Sequence, residues 1–314
     1  MRVLVTGGSG FIGSHVVDKL RDYGVAVRIY DLVYPTQRSD VEFYQGSILD
    51  FERVRMALNQ VDAVMHLAAV ADVKDVLVDP RYAESINVRG AFNVLEAMRR
   101  CGVKRLIYGS TTWVYGGSEG ESVDEASPLG PPTHFYTATK MAGEYYCQSY
   151  SHLYGLEPTI LRYGIPYGPR ARSGAVIPIF VEKALRGEGL TIAGDGSQYR
   201  KFVYVEDLAQ GNVLALKPVA ANKIYNLDGN ERVTIRQIAE TVRKVLGEVK
   251  IEYLPSRPGD FSGKDVSSRR AFEELGWQPR TCFEEGLRRY IEWFKLQLER
   301  ESQSWLEVDR ALKA

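Results

Sequence analysis

Short apolar runs and helical patterns alternate through the first half of the chain. The apolar runs are nearly continuous, as expected for parallel strands covered on both faces, and they lie at Val3–Val5, Ala26–Tyr30, Ala63–Leu67 and Arg105–Tyr108. Helical periodicity separates them, at Phe11–Asp22, Phe51–Leu58 and Tyr82–Arg100, the last ending before Gly102. Alternation of this kind predicts an α/β fold with a doubly wound parallel sheet.

The pattern changes after about residue 170. Short strands and turns such as Gly194–Gly196 then alternate with helical stretches at Val176–Arg186, Thr234–Leu246 and Phe283–Arg300. This indicates a smaller C-terminal α/β unit packed on the carboxyl edge of the sheet. We therefore predict one domain over residues 1–170, completed by residues 203–228, and a second, interleaved domain over most of residues 171–314.

Composition and charge exclude several classes of protein. Forty Lys and Arg residues balance forty Asp and Glu residues, so we expect neither general nucleic-acid binding nor attachment to an anionic membrane. The longest apolar stretch, residues 63–73, falls short of the ~20 residues that span a bilayer. Cys101, Cys147 and Cys282 are too few and too widely spaced for a disulfide framework or a zinc site. We expect a cytoplasmic protein without a bound metal.

Three glycines follow the first strand and open the first helix. Gly7 suits a tight turn, Gly10 lets the backbone approach a pyrophosphate, and Gly13 allows close packing of helix on strand. The helix N-terminus, at Phe11 and Ile12, offers unpaired N–H groups to phosphates. Asp31 ends the next strand, 18 residues after Gly13. A carboxylate there accepts hydrogen bonds from ribose hydroxyls and repels a 2′-phosphate, which favours NAD over NADP.

A second group of residues carries acid–base chemistry. Thr111 follows the strand that we predict to end at Tyr108, where sheets of this type bind ligands. Tyr136 and Lys140 are four residues apart at the start of the next helix, so both side chains share one face. A phenol with a pKa near 10 is a poor base. A nearby ammonium, together with an oxidised nicotinamide, lowers that pKa, and the threonine can orient the substrate oxygen.

These residues resemble the extended short-chain dehydrogenase/reductases, in the nucleotide-sugar epimerase/dehydratase branch. The similarity runs to about residue 300 and rests on motifs in a fixed order: Thr6–Gly13, His66–Ala69, Asn87–Gly90, Ser110–Gly116, Tyr136–Lys140, Leu161–Tyr163, Tyr167–Pro169, Gly194–Gly196 and Arg257–Asp260. The resemblance implies a Rossmann-type NAD-binding domain followed by a smaller nucleotide-sugar domain. It also implies that the cofactor contacts Ser47, Ile48, Leu67, Ala68, Ala69 and Asn87. Ser47 replaces the Asp that usually meets the adenine amino group.

The resemblance further implies a reaction. Tyr136 would remove the proton of a sugar 4-hydroxyl while C4 passes a hydride to NAD, Lys140 would hold the nicotinamide ribose, and Thr111 would bind the 4-oxygen. In an epimerase the 4-keto sugar then turns and is reduced on its other face. Thr112 and Trp113 stand where a 4,6-dehydratase of this family has Asp and Glu, and a uronate decarboxylase has Glu in place of Trp113. Epimerase is therefore the favoured activity.

Several features on the substrate side leave alternatives open. By resemblance, Arg200 and Arg257 would hold a diphosphate, Asp260 would lie near the nucleoside sugar, and Thr112 would contact the substrate. Ile165 replaces an Asn that contacts the sugar or diphosphate in the family and cannot make that hydrogen bond, so the resemblance does not carry over at this position of the hexose pocket. Arg172 is placed like an arginine that meets the carboxylate in some uronic-acid epimerases, although an exposed basic loop is the simpler interpretation.

The expected substrates are UDP-glucose and UDP-galactose, or UDP-glucuronate and UDP-galacturonate. Three alternatives stay open: a nucleotide-sugar reductase, a decarboxylase of the same family, and a non-catalytic NAD(H) sensor. By analogy with the family, we expect a homodimer formed through the helices at Tyr82–Arg100 and Tyr136–Tyr154.

Overall fold

A seven-stranded parallel sheet is the centre of the computed structural model, which describes residues 1–120, 122–255 and 264–313. Its strands are β1 (Arg2–Thr6), β2 (Ala26–Asp31), β3 (Glu42–Gln45), β4 (Ala63–His66), β5 (Arg105–Thr111), β7 (Glu157–Tyr163) and β11 (Lys223–Leu227). They lie in the order β11-β7-β5-β4-β1-β2-β3. The strand order extends from β1 to β3 on one side of β1 and continues with β4 on the other side, so a topological switch point lies between β1 and β4. Ligands of such sheets bind at the carboxyl ends of the strands beside this point.

Helices cover both faces of this sheet. The helices of the described residues are α1 (Phe11–Asp22), α2 (Phe51–Ala57), α3 (Val73–Val78), α4 (Pro80–Glu84), α5 (Ala91–Cys101), α6 (Phe135–Tyr154), α7 (Val176–Leu185), α8 (Val205–Leu214), α9 (Ile235–Leu246) and α10 (Phe283–Lys313). Alternate residues of β1 face opposite layers: Val3 and Val5 pack under α1 and α8, and Leu4 packs under α2, α5 and α6. None of the described helices is long and apolar enough to cross a membrane.

The remaining strands form three small sheets. These strands are β6 (Ser122–Val123), β8 (Ile165–Tyr167), β9 (Leu190–Ala193), β10 (Tyr199–Tyr204), β12 (Arg232–Thr234), β13 (Ile251–Leu254) and β14 (Asp265–Val266). They pair as β12-β10-β8, β13-β9 and β14-β6. A separate hydrophobic core, which includes Phe180, Ile238, Leu287 and Tyr290, joins α7, α9 and α10 to the three-stranded sheet.

Three elements differ from the sequence-based predictions. Strand β5 runs on to Thr111 rather than ending at Tyr108, because its last residues pair with β7. Strand β3 has too mixed a sequence to be predicted as a buried strand, and it lies at the sheet edge. The predicted helix Tyr82–Arg100 is broken by a π-helical segment, Ser85–Gly90. There Asn87 turns into the core and Gly90 packs directly on Ile48, and such segments are frequent at functional sites.

Candidate active site

The glycine loop between β1 and α1 is packed so tightly that side chains do not fit. Gly7 has a φ of 73°, and a Cβ there would lie 2.6 Å from the backbone nitrogen of Ala68. A Cβ on Gly13 would overlap the carbonyl oxygen of Gly7. Helix α1 follows Gly10, and no described side chain caps its first turn. The backbone N–H groups of Phe11 and Ile12 are therefore available to an anion, so the loop fits the diphosphate of NAD.

Asp31 lies at the rim of this loop, at the end of β2. Its carboxylate accepts hydrogen bonds from the backbone N–H of Ser9 at 3.0 Å and of Val33 at 3.3 Å. The side chain thereby connects the glycine loop to the segment after β2. Because a carboxylate has about four acceptor positions, two remain for ribose hydroxyls. A 2′-phosphate at the same place would be repelled.

A cleft of about 840 Å³ begins at the glycine loop and extends across the carboxyl ends of the strands. Among the residues predicted from the sequence, its lining includes Gly7, Gly10, Phe11, Ile12, Gly13, Asp31, Ser47, Ile48, Leu67, Ala68, Ala69, Thr111, Tyr136 and Arg172. One continuous cleft thus brings together the predicted cofactor residues and the predicted reacting groups. Its lining also includes residues that the sequence did not single out, such as Lys74, Tyr82, Tyr163 and Ser173.

Four predicted residues are described but do not line the cleft, and two lie outside the described residues. Lys140 and Asn87 are buried behind the cleft surface. Thr112 lies in the turn after β5, and Arg200 lies in β10, where its Nη1 donates to the carbonyl oxygen of Tyr199 at 2.8 Å. The two outside the described residues are Arg257 and Asp260.

Asn87 has a supporting position rather than a lining position. Its Oδ1 accepts from the backbone N–H of Val70 at 2.8 Å, and its Nδ2 donates to the carbonyl oxygen of Val70 at 2.9 Å and to the hydroxyl of Thr139 at 3.0 Å. The amide thus holds the loop after β4, which lines the cleft, to helix α6. The sequence could not reveal this role, because Val70 and Thr139 are distant in the chain.

Lys140 is buried between α6 and β5. Its Nζ donates to the carbonyl oxygen of Gly109 at 2.7 Å and lies 5.0 Å from the ring centroid of Tyr108. Burial lowers the pKa of Lys140 to about 8, although the nearby Cys147 and Glu144 act in the opposite direction. An ammonium has three donors, so two remain for other acceptors.

Tyr136 opens the same helix and faces the cleft. Burial raises the pKa of Tyr136 to about 12, and the positive charge of Arg172 acts against that rise. The ammonium of Lys140 therefore does not by itself turn the phenol into a base at neutral pH. Arg172, expected from the sequence only as a carboxylate partner, thus also lies close enough to Tyr136 for its charge to act on the phenol.

The turn after β5 forms one wall beside Tyr136. The hydroxyl of Thr111 accepts from the backbone N–H of Trp113 at 3.2 Å and caps the short 3₁₀ segment Thr112–Tyr115. The indole of Trp113 lines the cleft and meets the Tyr136 ring edge-on, with the ring centroids 6.4 Å apart. An aromatic wall stands where an acid–base pair would be needed for dehydration.

The opposite wall is a loop that follows β8 and is anchored on α1. The Nε2 of His15 donates to the carbonyl oxygen of Pro169 at 2.9 Å, and Arg170 pairs with Asp18 at 2.8 Å. Burial lowers the pKa of His15 to about 4, so the imidazole stays neutral at pH 7. These contacts place Arg172 at the cleft beside Tyr136.

Comparison with known proteins gives matches over nearly the whole chain. Residues 3–228 match the model of the NAD dependent epimerase/dehydratase family. The UDP-glucuronate 4-epimerase of Thermodesulfobacterium geofontis (strain OPF15) is 34% identical over 317 residues, which cover 94% of this chain and 97% of that protein. The dTDP-D-glucose 4,6-dehydratase of Mus musculus is 30% identical over 337 residues, which cover 99% and 92%.

Among solved structures, the UDP-glucose 4-epimerase of Thermotoga maritima with UDP-glucose has a TM-score of 0.88 and 34% sequence identity. The match covers 95% of this chain and 100% of that chain. Both the sheet and the smaller C-terminal unit therefore have counterparts in one known fold.

Proposed function

Because the chain belongs to the NAD-dependent epimerase/dehydratase family, we propose that it inverts C4 of a nucleotide-diphosphate sugar through a transient 4-keto intermediate. One observation carries this proposal. Thr111 and Tyr136 line the cleft that begins at the glycine loop. The two residues after Thr111 are Thr112 and Trp113, and they supply neither an acid nor a base. Epimerisation needs no further acid–base pair, whereas dehydration does.

In the proposed reaction the phenol of Tyr136 takes the proton of the sugar 4-hydroxyl, and the hydroxyl of Thr111 binds the same oxygen. When bound, NAD supplies the acceptor and later the donor of the hydride, and its oxidised ring adds positive charge to the site. Lys140 adds a second positive charge, which favours the tyrosinate. The 4-keto sugar must turn within the cleft before it is reduced, and Tyr136 then returns the proton to the 4-oxygen.

We propose that the larger domain, residues 1–170 with 203–228, holds NAD. The lining of the cleft and the fit of the glycine loop support this assignment. Strand β11 and helix α8 complete the large sheet and its helical layer, which supports the inclusion of residues 203–228. The remainder of residues 171–314 would bind the nucleotide, with Arg200, Arg257 and Asp260 at the diphosphate and nucleoside.

The substrate that we propose is a UDP-sugar, as in the relatives named UDP-glucuronate 4-epimerase and UDP-glucose 4-epimerase. Arg172 lines the cleft close enough to Tyr136 to act on its charge. A guanidinium at that position can form a paired hydrogen bond with a carboxylate, which favours UDP-glucuronate and UDP-galacturonate over the neutral hexoses.

We also propose a cytoplasmic homodimer. Free thiols at Cys101, Cys147 and Cys282 suit a reducing compartment. Tyr145 and Leu153 on α6 are 58% and 62% exposed, and large apolar side chains on one helix suit an interface between subunits. Light scattering should give the mass of two chains, and Tyr145→Glu with Leu153→Glu should give the mass of one.

The purified protein tests the proposed activity directly. Denaturation should release about one NAD per chain, and incubation with UDP-glucuronate or UDP-glucose should give the C4 epimer by NMR, without consumption of added NADPH. Net oxidation of NADPH would instead indicate a reductase, and loss of carbon dioxide a decarboxylase. Bound NAD with no turnover of any nucleotide sugar would indicate a sensor and would overturn the proposal.

A further inference from the structure

A buried ion pair lies behind the candidate active site. The carboxylate of Glu144 on α6 accepts two hydrogen bonds from the guanidinium of Arg162 on β7, from Nε at 3.0 Å and from Nη2 at 2.7 Å. Both side chains are almost completely buried. A buried pair of this kind is weak support for stability, because desolvation of both charges opposes it. Stability alone therefore does not explain why this ion pair is buried behind the site.

The ion pair is part of a network that reaches the reacting residues. The hydroxyl of Ser110, the residue before Thr111, donates to Glu144. On the other side, Nη1 of Arg162 donates to the hydroxyl of Tyr115 at 2.7 Å. The network thus joins α6 and β7 to both ends of the turn that carries Thr111 and Trp113.

Helix α6 presents three chemically distinct residues on one face. Tyr136, Lys140 and Glu144 are spaced by four residues, so they lie along one stripe of the helix. Lys140 donates to the carbonyl of Gly109, and Glu144 accepts from the hydroxyl of Ser110. Two consecutive residues of β5 are therefore joined to two consecutive turns of α6, immediately before the strand reaches Thr111.

We propose that the Glu144–Arg162 pair is a positioning device for the reaction. It holds α6 in register with the end of β5, so that Tyr136 and Thr111 line the same cleft, and it places a carboxylate one helical turn from Lys140. This inference rests on the proposed function for the roles of Tyr136 and Lys140.

The electrostatic part follows from the groups around Lys140. These are His66 on β4, Tyr108 on β5, the residues Tyr136, Glu144 and Cys147 on α6, and the guanidinium of Arg162 on β7, which pairs with Glu144. Burial lowers the pKa of His66 to about 3 and raises the pKa values of Tyr108, Tyr136 and Cys147, so all four are neutral at pH 7. Cys147 and Glu144 both act to raise the pKa of Lys140. Of these two, Glu144 carries the negative charge, since burial keeps the thiol of Cys147 protonated, and the positive charge of Arg162 reduces the effect of that carboxylate. Without the carboxylate, burial would remove the proton of Lys140 at a lower pH.

Glu144→Gln in the full chain loaded with NAD tests the proposal. We expect the variant to retain NAD and a similar KM for the UDP-sugar, while kcat falls by about tenfold to a hundredfold. The alkaline limb of the pH–rate profile should move by about one unit toward lower pH. If the alkaline limb of Glu144→Gln lies at the same pH as that of the wild type, the proposal is overturned even when kcat is reduced, because a purely structural role lowers activity without that shift.

Glu274→Gln is a matched control. Glu274 pairs with Lys223 at 2.6 Å and accepts from the hydroxyl of Tyr225 at 2.6 Å, at the far edge of the sheet. The same substitution there should leave the pH–rate profile unchanged. Ser110→Ala keeps both charges and removes only a hydrogen bond of the network, so it should lower kcat with an unshifted alkaline limb.

Two further measurements apply if Glu144→Gln does not fold or shows no activity. Glu144→Gln combined with Arg162→Met leaves no unpaired buried charge, and a smaller shift of the alkaline limb in the same direction is expected, because the positive charge of Arg162 is removed as well. The ¹⁵Nζ NMR signal of Lys140, assigned with Lys140→Arg, reports the titration without any turnover. If the wild type lacks epimerase activity, the proposed function fails, whereas an unchanged titration of Lys140 in Glu144→Gln overturns the positioning proposal alone.

Discussion

The cleft has a floor and a roof that are built in different ways. We define the floor as the residues contributed by the carboxyl ends of β1, β4 and β5 and by α6, and the roof as residues 164–175. The floor consists of tightly packed backbone and buried side chains, such as Lys140 on the carbonyl of Gly109. The roof consists of β8 and the loop that follows it, which forms the wall opposite Trp113. Two side chains of α1, His15 and Asp18, hold this loop from outside the sheet.

This difference predicts that the floor acts in the reaction itself and that the roof acts in the choice of sugar. The floor contains the proposed reacting groups at positions set by strand pairing and helix register, so small changes there should abolish the reaction. The roof contributes Arg172 and the segment Gly164–Pro166, which departs from the pattern of the family. Changes in the roof should therefore alter which sugar is accepted rather than whether hydride transfer occurs.

The largest effect should come from the floor, at Tyr136. Tyr136→Phe removes the proton acceptor and should lower kcat by about 10³-fold or more, within the range for general acid–base groups, with NAD still bound. Tyr163→Phe is the control, because Tyr163 also lines the cleft but donates its hydroxyl to Asn212 at 2.6 Å. Full activity of Tyr136→Phe would contradict the proposed mechanism.

The next effect concerns the glycine loop of the floor. Gly13→Ala places a methyl group against the carbonyl oxygen of Gly7, so the loop must shift and the NAD content of the purified protein should fall by about tenfold or more. Gly24→Ala is the control for a glycine outside the loop: its left-handed backbone, with a φ of 70°, disfavours alanine, but open space surrounds it and no contact of the loop is disturbed. Equal NAD content in the two variants would show that the fit of the loop is not required.

A smaller and more selective effect is expected in the roof. Arg172→Ala should lower kcat/KM for UDP-glucuronate by about tenfold to a hundredfold, as for a lost charged hydrogen bond, and should change UDP-glucose much less. Arg170→Ala releases the anchor on Asp18 and should lower both values together. Equal losses on both substrates in Arg172→Ala would remove the carboxylate role.

The smallest effect on turnover is expected at Asp228, a carboxyl group beneath the roof whose titration acts on stability instead. Asp228 is buried beside Gly164, and burial raises the pKa of Asp228 to about 7, although Lys201 at 4.0 Å opposes the rise. The folded state therefore keeps a proton that the unfolded chain loses near pH 4, so the contribution of Asp228 to the free energy of unfolding falls by up to about 4 kcal/mol between pH 4 and pH 8.

Asp228→Asn cannot titrate, so its urea-unfolding free energy should fall less over the same pH range. Asp265→Asn is a useful comparison, because pairing with Arg232 lowers the pKa of Asp265 and reverses the sign of its contribution. Parallel pH dependence in wild type and Asp228→Asn would show that the buried carboxyl does not titrate in this range.

Local patterns were sufficient for much of the floor. Helix α1 has the predicted bounds, and the glycine loop, Asp31, Thr111 and Tyr136 all reach the cleft. The reason is that strand alternation, glycine spacing and a four-residue helical step are set by neighbours in the chain. Glu144 shares that step with Tyr136 and Lys140, so its place on the helix face could also have been predicted from the sequence.

Other features depend on contacts between distant parts of the chain. The partner of Glu144 is Arg162, on a different strand, and the anchor of the roof joins Asp18 to Arg170. The π-helical segment that turns Asn87 into the core interrupts a sequence that otherwise predicts a regular helix.

The sequence by itself determined the α/β class and the dinucleotide loop and predicted the reacting groups, because each depends on residue type and short spacing. Only the tertiary structure decided which charges face those groups. Burial lowers the pKa of Lys140 against the charge of Glu144 and raises the pKa of Tyr136 against the charge of Arg172. Such electrostatic effects depend on the exclusion of water and on distances across the fold, which no local pattern contains.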